Sequence, residues 1–407
     1  MSDEDMESTE LHEYRLQARE WLADNMKPLS PVDEADVTGD PSVERVARAR
    51  DLQAQLYAGG YAGITYPTEY GGQNLTLDHE GVFLAESAGY DMPTREFGVS
   101  LNILGPTLVR FGTAEQKAKH VAKMLSGEEL WLQLLSEPSG GSDLAGLLTR
   151  ATRDGDSYIL NGQKIWSTGA MHADFAMCPA RTSWDVPKHK GITIFIVDLT
   201  TPGVEIRPIK QINGAAEFCE EFLTDVVIPG DQVVGEENEG WRVARGLLEI
   251  EHAWVGRRGG GGNRGVGDLV SLARRRQLHT DPGVRRQIAA LYASQRTHAL
   301  VARRVSNAMV AGKLNQGYGG ILKLGGDINL QRGAELALAL AGSEAVAWQP
   351  EDPEGGATAL NYLTSRSASI AGGTDEIQRN NASERGLGLP REPSNDRDVA
   401  FNQIPHN

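Results

Sequence analysis

Leu135-Ser136-Glu137-Pro138-Ser139-Gly140-Gly141-Ser142-Asp143-Leu144-Ala145-Gly146, continued by Asn161-Gly162-Gln163-Lys164-Ile165-Trp166-Ser167-Thr168-Gly169-Ala170, decides how this chain of 407 residues is read. Alone, Ser-Glu-Pro-Ser-Gly-Gly-Ser-Asp is an ordinary polar turn. With Lys164-Ile165-Trp166-Ser167-Thr168 arriving in register downstream, that reading loses its force. The texture of the chain changes on either side of the pair. From Leu11 to about Ser126 apolar residues recur every three or four positions, as helices require, while Pro28, Pro31 and the acidic run from Asp33 to Asp40 read as a loop. From Leu130 to Gly235 the pattern is strand-like, with Tyr158-Ile159-Leu160 and Ile192 to Asp198 set between Gly, Pro and Asp turns. After Gly240 it is helical again, through Val243 to Leu272, Val284 to Ala311 and Gly317 to Leu340. No repeat of fixed period appears.

Composition bounds the function. With 40% apolar residues the chain can bury a large core. Its 40 Lys and Arg against 55 Asp and Glu leave a formal charge of −15, a poor balance for nucleic acid or an anionic membrane surface. No apolar run approaches the length of about 18 residues that a membrane span needs. The start Met1-Ser2-Asp3-Glu4-Asp5 is acidic where a secretory signal is basic, so a cytoplasmic protein is expected. Cys178 and Cys219 lack metal-ligand spacing and read as buried thiols, and no metal site is expected. No Gly-x-Gly-x-x-Gly follows a strand, which disfavours a Rossmann nicotinamide site.

Three further blocks accompany the opening pair: Gly60-Tyr61-Ala62-Gly63-Ile64-Thr65-Tyr66-Pro67 with Tyr70-Gly71-Gly72, Val233-Val234-Gly235-Glu236-Glu237-Asn238 with Gly240-Trp241, and Ile370-Ala371-Gly372-Gly373-Thr374-Asp375-Glu376-Ile377-Gln378. Together these blocks resemble the acyl-CoA dehydrogenase family over residues 8 to 390. The resemblance implies an α+β fold with an N-terminal helical domain (1–128), a middle β-domain (129–236) and a C-terminal four-helix bundle (237–407). It implies FAD, with Gln133, Leu135 and Ser136 lining one side of the ring and Trp166, Ser167 and Thr168 the other. Thr374 and Glu376 match flavin-contacting positions, and Ser142 matches a position that meets the CoA chain. The partners implied are an acyl-CoA substrate, an electron-transfer flavoprotein, and further copies in a homodimer or homotetramer, with a heteromer left open.

Dehydrogenation of a thioester needs a base for the α-proton and polarisation of the carbonyl. The family often places its carboxylate two residues before Thr374, where this chain has Gly372. A glycine abstracts no proton, but its N–H can serve the carbonyl as an oxyanion-hole donor. Other members place the base on the first long C-terminal helix, and Leu247-Leu248-Glu249-Ile250-Glu251-His252 resembles that helix with Glu251 at the matching position. Spacing supports this independently: Trp241, Ala244, Leu248, Glu251 and Val255 lie on one apolar stripe, whereas Glu249 follows Arg245 by four residues as a solvated pair does. A carboxylate in such a stripe is desolvated and becomes a stronger base. The bland alternative is a glutamate that reaches the surface or is satisfied by His252, itself a candidate for contact with substrate.

Two departures from the family matter. Its Arg-x-x-Phe-Gly element, whose arginine reaches a neighbouring subunit's flavin pyrophosphate, is replaced by Arg274-Arg275-Arg276-Gln277-Leu278-His279; one of the three arginines, Arg276 among them, could substitute, and a solvated basic face is an equal alternative. The run Gly256-Arg257-Arg258-Gly259-Gly260-Gly261-Gly262 should break the helix, each glycine costing ~1 kcal/mol. A flexible surface loop is one reading of the run; if the helix persists instead, its bare wall leaves room for a branched or ring-bearing acyl group, and whether Leu101, Leu104 or Trp254 lines the pocket floor is a question for the structure. Three functions follow: a dehydrogenase forming a trans-2-enoyl-CoA in fatty-acid β-oxidation, a non-catalytic partner subunit of a heteromer, or a flavin oxidase of the same fold.

Overall fold

The computed structural model describes residues 8–29, 42–257, 266–348, 353–393 and 396–405. Helices α1 (Thr9–Asn25), α2 (Val43–Ala58), α3 (Leu77–Ser87), α4 (Gly105–Phe111) and α5 (Ala114–Ser126) form the N-terminal part. Their starts are written locally. Ser8, Ser42 and Thr113 accept backbone N–H groups as N-caps, and Gln116 completes a capping box with Thr113. A π-turn at Ser100–Leu104 precedes α4. In it the Gly105 N–H bonds Ser100, and the Leu101 carbonyl takes the Tyr66 hydroxyl. Such turns recur at functional sites.

The strands are β1 (Trp131–Gln133), β2 (Arg150–Asp154), β3 (Ser157–Thr168), β4 (Phe175–Arg181), β5 (Ile192–Asp198), β6 (Val204–Pro208), β7 (Phe218–Pro229) and β8 (Val233–Val234). They make one sheet in the order β6-β7-β3-β2-β4-β5-β8, with β1 parallel to β4. Ile192 to Ile196 and Ala176 to Cys178 are sealed on both faces, so these strands read as continuous apolar runs rather than alternations. Cys178 and Cys219 are buried in that core outside any disulfide, and burial pushes Cys178 up to about 11.

The C-terminal part comprises α6 (Gly240–Arg257), α7 (Val266–Arg275), α8 (Pro282–Val310), α9 (Gly319–Ala341), α10 (Pro353–Thr364) and α11 (Asp375–Asn381). The helical texture expected from Val243 to Leu272 is found in α6 and α7, on either side of residues 258–265, which lie outside the described residues. Helix continues through Gly256 to Arg257, and the rest of the glycine run, from 258 to 262, lies outside the described residues, as does the acidic stretch 33–40. Helix α6 crosses α4 closely at Gly246, where a Cβ would stand 2.4 Å from the Phe111 ring. Leu269, Leu272, Ile288, Leu291, Leu336 and Leu340 join α7, α8 and α9 in a separate core. No helix among the described residues is long and apolar enough to cross a membrane.

Candidate active site

Two walls carry the residues singled out from the sequence. The first is built on β1 and β3. Beyond Gln133 the chain runs beside β3, where the Ile165 N–H donates to the Ser136 carbonyl (3.0 Å) and Lys164 Nζ approaches the Leu135 carbonyl (3.4 Å). Lys164 is fully buried and pairs with Glu137 at 2.8 Å, and Glu137 also accepts the Leu148 and Thr149 N–H groups. Burial opposes ionisation of Glu137, but the Lys164 charge and these hydrogen bonds outweigh it and hold its carboxyl below the usual range. The segment's far end is fixed by buried Arg181, which donates to the Ala145 and Leu147 carbonyls. Ser142 stands exposed between these anchors.

Trp166 is the outlier of this wall. It sits at a register shift between β3 and β7, has φ of 70°, and leaves 55% of its surface exposed. A bulky residue in the left-handed region costs about 1–3 kcal/mol and marks functional sites. Phe218 stands edge-on to it, with centroids 6.0 Å apart, and the Thr168 side chain is exposed alongside. Ser167 differs. Its side chain faces the interior and donates to Glu221 Oε2 at 3.1 Å, so it offers the Trp166 face only its backbone.

The second wall is α6 with the segment before α11. Glu251 faces β1, and the Gln133 amide reaches its carboxylate at 3.5 Å. The residue keeps part of its surface accessible, but its carboxylate end is desolvated, which pushes its pKa up against the opposing hydrogen bond from Gln133. Glu249 is exposed and lies 3.9 Å from Arg245 and 3.4 Å from Arg110. On the same stripe as Glu251, Ala244 is buried and Leu248 and Trp241 pack against the main core. Leu101 and Trp254 pack there too, with Trp254 against Gly98, whereas Leu104 is fully enclosed and lines no space.

Gly372 and Gly373 take φ of 65° and 86°, a turn that glycine makes without strain. The Gln378 amide closes it by donating to the Gly372 carbonyl at 2.7 Å. The Gly372 N–H donates to no acceptor among the described residues, and a Cβ there would meet nothing within 4 Å. Thr374 caps α11 by accepting the Ile377 N–H, and Glu376 is exposed beside Arg379. His252 brings α6 to this turn. His252 as a residue is exposed, but the atoms crowding its ring at the turn lower its pKa, while the Gly372 carbonyl favours the protonated ring. Arg276 is elsewhere, on the rim of α7, and pairs with Glu344 of its own chain.

Gln133, Leu135, Ser136, Trp166 and Thr168 therefore lie on one wall, Glu251 meets that wall at Gln133, and His252, next to Glu251 in α6, reaches the Gly372 turn. Glu221 and Arg181 were missed in the sequence. Neither left a signal in the sequence: Glu221 is brought opposite Lys164 only by the register of β3 and β7. The residues fit a flavin. Gln133 Oε1 is buried without a hydrogen-bond partner, and Trp166 presents an exposed, strained aromatic face beside a free hydroxyl.

Helical ends around a β-domain, an acid on the first C-terminal helix and a Gly-Gly-Thr turn beside it define the architecture of a flavoprotein acyl-CoA dehydrogenase. The chain belongs to that family: residues 8–128, 133–226 and 238–387 match the acyl-CoA dehydrogenase N-terminal, middle and C-terminal domains. It is similar to the acyl-CoA dehydrogenase IpdE1 of Mycobacterium tuberculosis (strain ATCC 25618 / H37Rv), 35% identical over 94% of this chain and 99% of that one. Among solved structures, the Tcur3481-Tcur3483 steroid ACAD superposes with a TM-score of 0.79 at 32% identity, covering 95% of this chain and 99% of the other. The ChsE4-ChsE5 complex from Mycobacterium tuberculosis gives 0.70 at 25% identity over 95% and 99%.

Proposed function

We propose that the protein is an FAD-dependent acyl-CoA dehydrogenase that converts an acyl-CoA thioester to its trans-2-enoyl-CoA, with Glu251 as general base. The observation that carries this reading is the desolvated Glu251 carboxylate held toward Gln133 on the wall that ends in Trp166 and Thr168. Desolvation raises its basicity, and the ionised form takes the α-proton. The unengaged Gly372 N–H is placed to donate to the thioester carbonyl as the enolate develops, with His252 beside it. Gln133, Leu135, Ser136, Trp166 and Thr168 would hold FAD, which supplies the hydride acceptor at N5 when bound. Ser142 is assigned to the CoA chain, and Thr374 and Glu376 to the flavin side of the turn. An electron-transfer flavoprotein is the electron acceptor.

The substrate is assigned as a bulky, ring-bearing acyl-CoA. Open space at Gly372 supports this, as does similarity to a protein described as a steroid ACAD. Anaerobic addition of an acyl-CoA panel that includes a steroid side-chain thioester should bleach the bound flavin. Flavin that never bleaches would sink the assignment of Glu251.

A second reading has its own observation. Arg276 is engaged by Glu344 within the chain, and a relative of known structure is described as the ChsE4-ChsE5 complex. This favours a heteromer in which a different subunit supplies the missing pyrophosphate contact. Protein purified alone without flavin, and gaining it only with a second chain, would establish that reading.

A further inference from the structure

The bulge at Trp166 has an underside that the reaction does not use. Lys164 and Ser167 are three positions apart, so an unbroken strand would point them to opposite faces of the sheet. Both are buried here, at 0% and 4% exposure, because the extra residue between the Ile165/Glu220 and Ser167/Cys219 pairs resets the alternation. That extra residue is Trp166. Below it lies Glu221, opposite Lys164 in the β3 and β7 register and itself 0% exposed. One of its oxygens accepts the Ser167 hydroxyl at 3.1 Å, and the other has no partner. Lys164 is turned instead to Glu137, beneath Leu135 and Ser136. A fully buried carboxylate is costly, and apolar residues would fill a sheet interior with less penalty.

We propose that the Glu221 and Ser167 pair is the pin that fixes the phase of the bulge, holding Trp166 in its left-handed, outward-facing conformation for the flavin ring; this rests on the flavoprotein reading above. Both are positioning residues. Without the pin, Ser167 has no reason to prefer the interior, and β3 can relax toward regular alternation. That would turn Trp166 out of line with Thr168.

The test uses the full chain in whatever assembly it is purified. Near-ultraviolet circular dichroism of the wild type minus that of Trp166→Phe gives the band of Trp166 alone, with no need for flavin. Ser167→Ala and Glu221→Met should each abolish most of that band and weaken FAD binding at least tenfold on reconstitution of the apoprotein. Glu221→Gln, whose amide oxygen still accepts the hydroxyl, should retain the band. If Ser167→Ala keeps the band, the pin is refuted. If the band is lost but FAD affinity stays within threefold of wild type, the link to the flavin is refuted. Should Glu221→Met fail to fold, Ser167→Ala, which deletes one oxygen, decides the question. A wild type that takes up no FAD would overturn the proposed dehydrogenase, and the dichroism difference would still report on the pin.

Discussion

The two walls of the site handle buried charge in opposite ways. Under the β-wall, Lys164 and Glu137 are paired at 2.8 Å through Oε1 with side chains 0% and 4% exposed; the Thr149 N–H donates to the same oxygen and the Leu148 N–H to Oε2. On the helical wall Glu251 has, among the described residues, one hydrogen bond, at 3.5 Å, and no ion pair. A paired buried charge is inert and fixes geometry; an under-solvated one is left with unsatisfied basicity. The first wall is therefore built to hold a shape, and the second to react.

The sharpest way to break this contrast is to remove the reactive charge. Glu251→Gln preserves size and the Gln133 contact but accepts no proton. Flavin reduction by a good acyl-CoA should fall by about 10³-fold, within the range of general-base catalysis. A stopped-flow rate within tenfold of wild type would return the base to some other residue. On the opposite wall, Lys164→Met should leave Glu137 buried and unpaired, costing about 3–5 kcal/mol in denaturant unfolding. Adding Glu137→Leu should recover much of that loss. If the single change costs under about 1 kcal/mol, the pair is not the fixture described here.

The pH dependence sharpens the same difference. Burial raises the pKa of Glu251, so the native state keeps a proton that the unfolded chain has released. Stability then falls as pH rises from the ordinary carboxylate pKa through the raised one. Glu251→Gln should consequently melt higher than wild type at neutral pH, with the gain shrinking on acidification toward the ordinary value. Wild-type kcat/KM should rise with pH through that raised pKa, because the ionised form is the base. A melting difference independent of pH would show that Glu251 is solvated after all.

Much of the fold could be read from the chain because its periodicities are strong. The run Ile192 to Asp198 is β5 residue for residue, and helices end near Ser126 and resume at Gly240. The helical stripe separated Glu251 from Glu249 because 3.6-residue spacing acts locally. What stayed hidden depends on the partner strand. Trp166 has no propensity for the left-handed region, so nothing in Lys164-Ile165-Trp166-Ser167-Thr168 announces a bulge, and strict alternation misplaces Ser167. Glu221 follows Glu220 in sequence and reads as one of two surface acids; only the register against Lys164 puts it inside. Arg276 was singled out by its place in the region matching the family's Arg-x-x-Phe-Gly element, and its engagement by Glu344 depends on how α7 meets the turn after α9.

The smallest expected effect tests the stripe argument most cleanly. Glu249 and Glu251 share a helix, a charge and nearly a position, yet Glu249 is about half exposed and faces Arg245 and Arg110 at 3.9 and 3.4 Å. Exposed pairs of this kind contribute about 0.3–0.5 kcal/mol, and salt screens them. Glu249→Gln should therefore change unfolding free energy by less than about 0.5 kcal/mol, leave flavin reduction within twofold, and show no acid-side shift in its rate profile. The same substitution two residues further on removes the proposed base. If both variants lose activity alike, helix α6 matters as a unit and its charge placement does not; if only Glu251→Gln does, the apolar stripe is what turns a surface residue type into a catalytic one.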